Sequence, residues 1–241
     1  MKYLDSPIKF KKGKLFSGIV YREFFPLNKS DSVLNIGCGD GVQALVYDGD
    51  FKRMVGLDIN PDSINTARTL AEYYNISQAE FIQGNVEQIK ITEKFDKAIA
   101  IDIIEHVINP DKMIMEIHRL LRDQGELLIT FPAMHDKWEN LFRFIGRRIF
   151  RRKGKTKVNE NWDPDVHQHD YSIRTWRNLI EAGGFKLIVC RASTMFPPLH
   201  YLGLPKFWFS NKLIHTIDSL FCNLPVIKNY GQSLVCIFVK K

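Results

Sequence analysis

The chain has 241 residues, of which 45% are hydrophobic and 25% are charged, and its 34 basic and 27 acidic residues leave a net charge of +7. This length suits one elaborated α/β domain over residues 1–241 better than two domains. The charge favours anionic partners, but it is too moderate to indicate nucleic acid by itself. No apolar stretch approaches the ~20 residues that span a bilayer, and the first residues lack a signal peptide's apolar run. We therefore expect a cytoplasmic protein.

The four cysteines are scattered through the chain, at positions 38, 190, 222 and 236. Their spacing forms no C-x-x-C pair and no Cys/His pattern of a zinc site. We expect them to be reduced, with the last three acting as small core hydrophobes.

A helical lead-in is predicted before the first strand. Its apolar residues recur at helical spacing: Phe16, Val20, Phe24 and Leu27. The segment is expected to pack on the core or over a ligand. Tyr21 and Arg22 are predicted to lie on its solvated face, with contact to a ligand as the alternative.

A short apolar run at residues 33–36 ends in three glycines, Gly37, Gly39 and Gly41. This pattern predicts a buried parallel strand that turns tightly at its carboxyl end, where ligands bind in open α/β sheets. Glycines at that turn allow positive φ and close approach of a ligand. Val42 stands where a dinucleotide-binding G-x-G-x-x-G motif has its last glycine, and no G-x-x-x-x-G-K-[ST] loop is present. The turn therefore favours a ligand without phosphates.

Polar residues lie at or just after the ends of the next three predicted strands, which cover residues 53–58, 79–82 and 95–102. These residues are Asp58, Asn85 and Asp102. Asp58 lies where a dinucleotide fold places its ribose-binding carboxylate. An N-cap for the helix after Pro61 is the alternative role of Asp58.

The remaining elements complete an alternating pattern. Helices are predicted at residues 42–46, 63–74, 110–121 and 172–182, and strands at 125–131, 185–191 and 233–239. Two insertions interrupt this pattern, at about residues 135–169 and 196–230. The second contains a strongly apolar helix, for which core or subunit packing is the default and an acceptor pocket is the sharper interpretation.

Five ordered motifs resemble those of class I S-adenosylmethionine-dependent methyltransferases of the type 11 small-molecule family, which is similar to the quinone-biosynthesis O-methyltransferases. They lie at residues 34–41, 56–58, 84–86, 95–107 and 120–129. The resemblance covers about residues 30–131. It implies a Rossmann-like α/β fold with helices on both faces of a seven-stranded, mostly parallel sheet. The implied strand order is 3-2-1-4-5-7-6, with strand seven antiparallel.

The resemblance also implies S-adenosyl-L-methionine as the cofactor and a set of cofactor-binding positions. These are Gly37, Cys38, Gly39, Asp58, Ile59, Asn85, Val86, Asp102 and Ile103. Two positions depart from the family pattern, because Asn35 stands where an acid is usual and Asn85 where aspartate is usual. The amide oxygen of Asn85 can still accept a hydrogen bond from the adenine amine.

Two histidines are candidates for the general base that would take a proton from a hydroxyl acceptor, His106 and His135. A structural role in the turn before Pro110 is the alternative for His106. His169 resembles the family's pocket-lining histidine. The cluster at residues 167–169 lacks the further ligands that metals usually need, so no metal is predicted.

Residues 138–157 combine aromatic and aliphatic side chains with many arginines and lysines. At helical spacing they form one apolar and one cationic face, a pattern compatible with a lid, a peripheral contact with anionic membrane, or an RNA contact. We expect both insertions to build an acceptor lid. We therefore predict a methyltransferase that O-methylates a small-molecule or lipid-linked acceptor. The alternative functions are RNA methylation and non-catalytic binding of S-adenosylmethionine.

Overall fold

The computed structural model describes residues 8–9, 21–132, 167–169, 171–192 and 233–241. The strands are β1 (Ser32–Ile36), β2 (Arg53–Asp58), β3 (Ala79–Gln83), β4 (Phe95–Ala100), β5 (Leu121–Pro132), β6 (Phe185–Ala192) and β7 (Ser233–Lys240). The helices are α1 (Val42–Val46), α2 (Pro61–Tyr73), α3 (Pro110–Leu120) and α4 (Ile173–Ala182).

The strands form one seven-stranded sheet in the order β3-β2-β1-β4-β5-β7-β6. The pairs from β3 through β5 are parallel, whereas β7 is antiparallel to both of its neighbours. This confirms the predicted fold and strand order. Because the strand order reverses between β1 and β4, their carboxyl ends border the crevice where α/β sheets bind ligands.

Successive residues of the central strands face opposite cores, as the two-residue period of a strand requires. Leu34 packs in a cluster that includes Met113 of α3 and Trp176 of α4. Its neighbour Val33 packs in a second cluster, which includes Leu45 of α1 and Ile64 of α2. Helices therefore cover both faces of the sheet, which leaves strand ends as the places for polar chemistry.

Two strand boundaries differ from the prediction by two residues or more. β4 ends at Ala100, two residues before Asp102, and β5 begins at Leu121 rather than Gly125. Leu121 pairs with Phe95, and the register then shifts before Lys97 pairs with Glu126. The irregularity lengthens β5 towards α3, and apolar periodicity alone does not reveal it.

The residues before β1 pack differently from the prediction. Residues 21–24 are helical, and Tyr21 is buried together with Phe25, one helical turn later. The predicted solvated position of Tyr21 is wrong, because Tyr21 and Phe25 share the inward face of this turn. Arg22 points outward and pairs with Asp50, with 2.5 Å between nitrogen and oxygen.

Cys190 of β6 and Cys236 of β7 lie directly opposite each other and form a disulfide. The expectation of two separate reduced cysteines is therefore wrong for this pair. Cross-strand register, which brings residues 46 positions apart into contact, cannot be deduced from cysteine spacing. Cys38 is a buried thiol.

Both predicted insertions lie outside the described residues, except for 167–169, so their role as an acceptor lid stays a prediction. The same holds for the helix predicted over residues 138–157. Across the described ranges, no helix combines the length and apolarity needed to cross a membrane.

Candidate active site

The turn after β1 is closed by backbone geometry that only glycine adopts easily. Gly37 has a φ of 64° and Gly41 a φ of 75°, both in the left-handed region. A Cβ at Gly41 would lie 2.8 Å from the Cβ of Ala67, and one at Gly37 would lie 2.8 Å from Cδ1 of Ile103. The turn therefore forms a bare backbone cradle between β1 and α1.

Asp58, at the end of β2, holds this turn in place. Its Oδ2 accepts a hydrogen bond of 2.8 Å from the Gly39 N–H, and its Oδ1 accepts one of 2.9 Å from the Asn60 N–H. Asn60, not Asp58, caps α2, accepting from the N–H groups of Asp62 and Ser63. The N-cap alternative for Asp58 is thus wrong. Each carboxylate oxygen has a further lone pair with which to accept from a ligand hydroxyl.

A cavity opens beside the glycine turn. It is lined by Tyr21, Asn35, Gly37, Cys38, Val42, Gln43, Ile101 and Asp102. The lining brings together three of the predicted cofactor-binding residues, Gly37, Cys38 and Asp102, with the polar side chains of Tyr21, Asn35 and Gln43. Of these polar residues, the sequence analysis did not single out Gln43.

Tyr21 contributes a neutral hydroxyl to this cavity. Burial raises the pKa of the Tyr21 phenol well above its usual value of 10, and the negative charge of Asp102 raises it further. The phenol can therefore donate or accept a hydrogen bond without adding charge.

Asp102 follows β4 in a left-handed conformation, with a φ of 51°. Thr130 of β5 holds it there, because its hydroxyl accepts from the Asp102 N–H at 2.7 Å and donates to Asp102 Oδ1 at 2.9 Å. Thr130 is completely buried. The sequence analysis did not single it out, although a lone hydroxyl within an apolar strand was an available signal.

The other predicted cofactor residues line the same edge of the sheet. Ile59, directly after Asp58, exposes 43% of its surface although it is apolar, whereas Val86 is buried. Asn85 turns its amide oxygen back to the Glu87 N–H, at 2.8 Å. That oxygen retains one lone pair, and the amide nitrogen adds two donors. Ile103 packs against Gly37.

Glu105 is a buried carboxyl that the sequence analysis did not single out. It is 4% exposed, and its Oε2 has no hydrogen-bond partner within the described part of the chain. Burial raises the pKa of the Glu105 carboxyl to about 7, reinforced by the nearby carboxylate of Asp102. Its backbone oxygen accepts from the N–H groups of Gln168 and His169, at 2.7 and 3.3 Å.

His106 lies beside Glu105, with 3.9 Å between His106 Nε2 and Glu105 Oε1. Its ring meets that of His167 edge-on, with 5.0 Å between centroids. The side-chain ligand atoms of Glu105, His106 and His167 all lie within 4.8 Å of one another. Imidazole and carboxylate groups at this spacing can hold a divalent metal. The absence of a metal stays a prediction.

Of the two other histidines that the sequence analysis singled out, His169 lies among the described residues and His135 does not. His169 Nε2 lies 3.1 Å from the Ile108 oxygen, and its ring packs near Tyr171, with centroids 4.9 Å apart. These contacts fix His169 between the loop after β4 and the start of α4. His135 lies outside the described residues.

Sequence comparison identifies the family behind this geometry. A family described as a methyltransferase domain matches residues 27–184, which include the glycine turn, Asp58, Asp102 and Glu105. The chain belongs to this family. It is a class I S-adenosylmethionine-dependent methyltransferase, as the sequence motifs predict.

Individual relatives of this methyltransferase share the core sequence. It is 26% identical over 196 residues to a ubiquinone biosynthesis O-methyltransferase of Acinetobacter baylyi, covering 77% of this chain and 76% of the relative. It is 33% identical over 105 residues to the enzyme of the same name from Glaesserella parasuis, where it spans 41% of this chain and 44% of the relative.

Solved structures share the fold. A S-adenosylmethionine-dependent methyltransferase from Methanosarcina mazei superposes with a TM-score of 0.60 at 20% identity, covering 92% of this chain and 96% of the other. At this identity the likeness concerns the fold alone.

Proposed function

We propose that this methyltransferase binds S-adenosylmethionine at the glycine turn and methylates an oxygen of a small-molecule or lipid-linked acceptor. The observation that carries the proposal is the docking of Asp58 onto Gly39, because it places a carboxylate next to a bare backbone turn. Both hydroxyls of a ribose can then donate hydrogen bonds to the remaining lone pairs of the carboxylate.

The residues around this turn fit the rest of that cofactor. Exposed Ile59 offers apolar surface to an adenine ring, and Asn85 offers an amide to its polar edge. The uncharged cavity wall of Tyr21, Asn35 and Gln43, with the single carboxylate of Asp102, suits a zwitterionic amino acid.

When bound, S-adenosylmethionine supplies a methyl group on a positively charged sulfur. The protein's contribution is to align an acceptor oxygen with that methyl carbon and to exclude water. As the oxygen–carbon bond forms and the carbon–sulfur bond breaks, the hydroxyl proton must leave. His106 is the base we propose for that proton, since it follows Asp102 by four residues, beyond the carboxyl end of β4.

The acceptor class rests on relatives and on the sequence. Two relatives are named ubiquinone biosynthesis O-methyltransferases, which supports an acceptor oxygen on a lipid-linked ring. The amphipathic pattern at residues 138–157 supports peripheral contact with anionic membrane, where such an acceptor resides.

Methyl transfer from labelled S-adenosylmethionine tests the proposal directly. We expect label on phenols or catechols with a hydrophobic tail and none on RNA. Asp58→Ala should abolish transfer, whereas Asp62→Ala, an exposed acid on α2, should not. Label on RNA alone would replace this proposal with RNA methylation. Tight cofactor binding without methyl transfer to either the phenolic acceptors or RNA would favour a non-catalytic S-adenosylmethionine-binding protein.

A further inference from the structure

Glu87 joins the loop after β3 to the loop after β4. Its Oε1 accepts a hydrogen bond of 2.9 Å from the Ile108 N–H, and its Oε2 accepts one of 2.8 Å from Asn109 Nδ2. Burial raises the pKa of the Glu87 carboxyl, but the hydrogen bonds from Asn109 and Ile108 more than offset this effect and leave the pKa below its usual value. The carboxyl is therefore ionised at neutral pH, and both contacts are charge-assisted.

Asn109 makes this contact in place of a helix cap. It stands at the N-cap position of α3, where an asparagine side chain ordinarily accepts from the first N–H groups of the helix. Among the described residues its side chain makes no such bond, and it donates to Glu87 instead. Because a cap normally stabilises a helix, its replacement indicates that the bond to Glu87 is the more favourable of the two.

On one side, Glu87 is tied to the residue that we propose meets the adenine. Its N–H donates to Asn85 Oδ1 at 2.8 Å. Val86, which lies between these two residues, is buried in the core cluster that also contains Ile104 and Val107 of the loop after β4. A ligand that engages the Asn85 side chain therefore acts on a group bonded directly to the Glu87 backbone.

On the other side, the loop after β4 carries His106, the proposed base. Ile108 of this loop is 61% exposed, so apolar packing contributes little to its position and hydrogen bonds matter more. Its N–H is held by Glu87, and its oxygen lies 3.1 Å from His169 Nε2. A displacement of Ile108 would thus reach His106, two residues earlier, as well as His169.

We propose that Glu87 is a positioning residue that couples cofactor binding at the loop after β3 to the order of the loop that carries His106. When a ligand fixes Asn85, it also fixes the Glu87 backbone, and the carboxylate then restrains Ile108 and Asn109. The base is in this way held in place when the cofactor is present. The inference rests on the proposed binding of S-adenosylmethionine at this edge of the sheet.

Amide hydrogen exchange with and without saturating S-adenosylhomocysteine, the product of the cofactor, tests the coupling without an acceptor. In the wild type, the ligand should slow exchange in residues 37–41 and 84–88, beside which it is proposed to lie, and also in residues 104–109. We expect the slowing in 104–109 to be about fivefold or more, which would mean that the ordered loop binds the ligand about fivefold more tightly. In Glu87→Ala, slowing should persist in 37–41 and disappear from 104–109.

Variants grade the contact. Glu87→Gln keeps an acceptor oxygen for the Ile108 N–H and should retain most of the slowing in 104–109. Glu87→Asp is one methylene shorter, cannot reach both donors and should lose most of it. Asn109→Ala should lose part of it. Glu72→Ala, which removes an exposed acid on α2, is the matched control and should behave as the wild type. Unchanged exchange in the buried strand β4 without ligand shows that each variant is folded.

Two results would overturn the inference. One is slowing confined to 37–41 and 84–88 in the wild type, because cofactor binding would then not reach the loop that carries His106. The other is slowing in 104–109 that survives in Glu87→Ala, because the ligand would then order this loop without Glu87. No slowing in any segment, together with no binding by calorimetry, would instead overturn the proposed cofactor.

Discussion

The backbone N–H of Gly39 donates a hydrogen bond of 2.8 Å to Asp58, across 19 residues and two neighbouring strands. The contact couples the turn after β1 to the end of β2, so a single carboxylate both shapes the cradle and faces it. The structural role of Asp58 in this turn is therefore linked to its proposed role in cofactor binding.

Replacing Asp58 with alanine should weaken S-adenosylhomocysteine about a hundredfold, because it removes charge-assisted hydrogen bonds to the turn and to the ribose. Calorimetry measures this loss. Asp62→Ala, on the exposed side of α2, serves as the control. Wild-type affinity in Asp58→Ala would refute the cofactor-binding role of Asp58.

Alanine substitutions at Gly41 and Gly49 separate the steric cost of an added side chain from the cost of holding a non-glycine residue in the left-handed backbone conformation. Both have a positive φ, but a Cβ at Gly41 would meet Ala67 and Phe81, whereas one at Gly49 would meet none of the described residues within 4 Å. Gly49→Ala should lower the free energy of unfolding by about 1–2 kcal/mol, the cost of the left-handed conformation. Gly41→Ala should cost a further ~1–3 kcal/mol from overpacking. Chemical denaturation gives both values, and equal losses would contradict the predicted clash.

The buried Glu105 should make stability fall as the pH rises. Its pKa is 4.5 when exposed and about 7 in the folded protein, so the folded state holds the proton more tightly between these values. The free energy of unfolding should therefore decrease from about pH 4.5 to pH 7, by at most ~3 kcal/mol from this group.

Glu105→Gln should remove that decrease and be more stable than the wild type at pH 8. Denaturation in chelator-containing buffer at several pH values measures it without interference from metal ions. Glu72→Gln, at an exposed position of α2, should retain the wild-type slope. An unchanged slope in Glu105→Gln would assign the pH dependence to other groups.

His106→Ala should lower turnover by about a hundredfold or more while leaving the affinity for S-adenosylhomocysteine unchanged, because a general base acts in the transition state. His135→Ala should show the same pattern if that residue is the base instead. Loss of cofactor affinity in His106→Ala would move His106 to the cofactor site.

Replacing Arg147, Arg148, Arg151 and Arg152 with glutamine should abolish binding to anionic vesicles and preserve cofactor affinity. The sequence places these residues on a predicted cationic helix face, whose attraction is screened over about 10 Å at 0.1 M salt. Co-sedimentation at low and high salt measures the binding. If the wild-type protein stays in the supernatant at low salt, the membrane interpretation is wrong and the lid interpretation remains.

Local patterns predicted the sheet well, and the residues proposed to bind the cofactor are ones that lie at strand ends. The glycine turn and Asp58 are of this kind, since short apolar runs fix where strands stop. The burial of Tyr21 was mispredicted because helical spacing shows that a face exists, but not which neighbours cover it. Thr130 and Glu105 were not identified because their roles arise from partners that only tertiary packing brings near.

The strand order also governs how the chain can assemble as it leaves the ribosome. β6 emerges before β7, yet among the described strands it pairs only with β7. Until residues 233–240 are synthesised, β6 has no place in the sheet and β5 keeps an open edge. The five parallel strands that carry the glycine turn can meanwhile form among themselves. Nascent chains that stall before β7 should therefore expose unpaired strand edges that recruit chaperones, although their cofactor cradle is already complete.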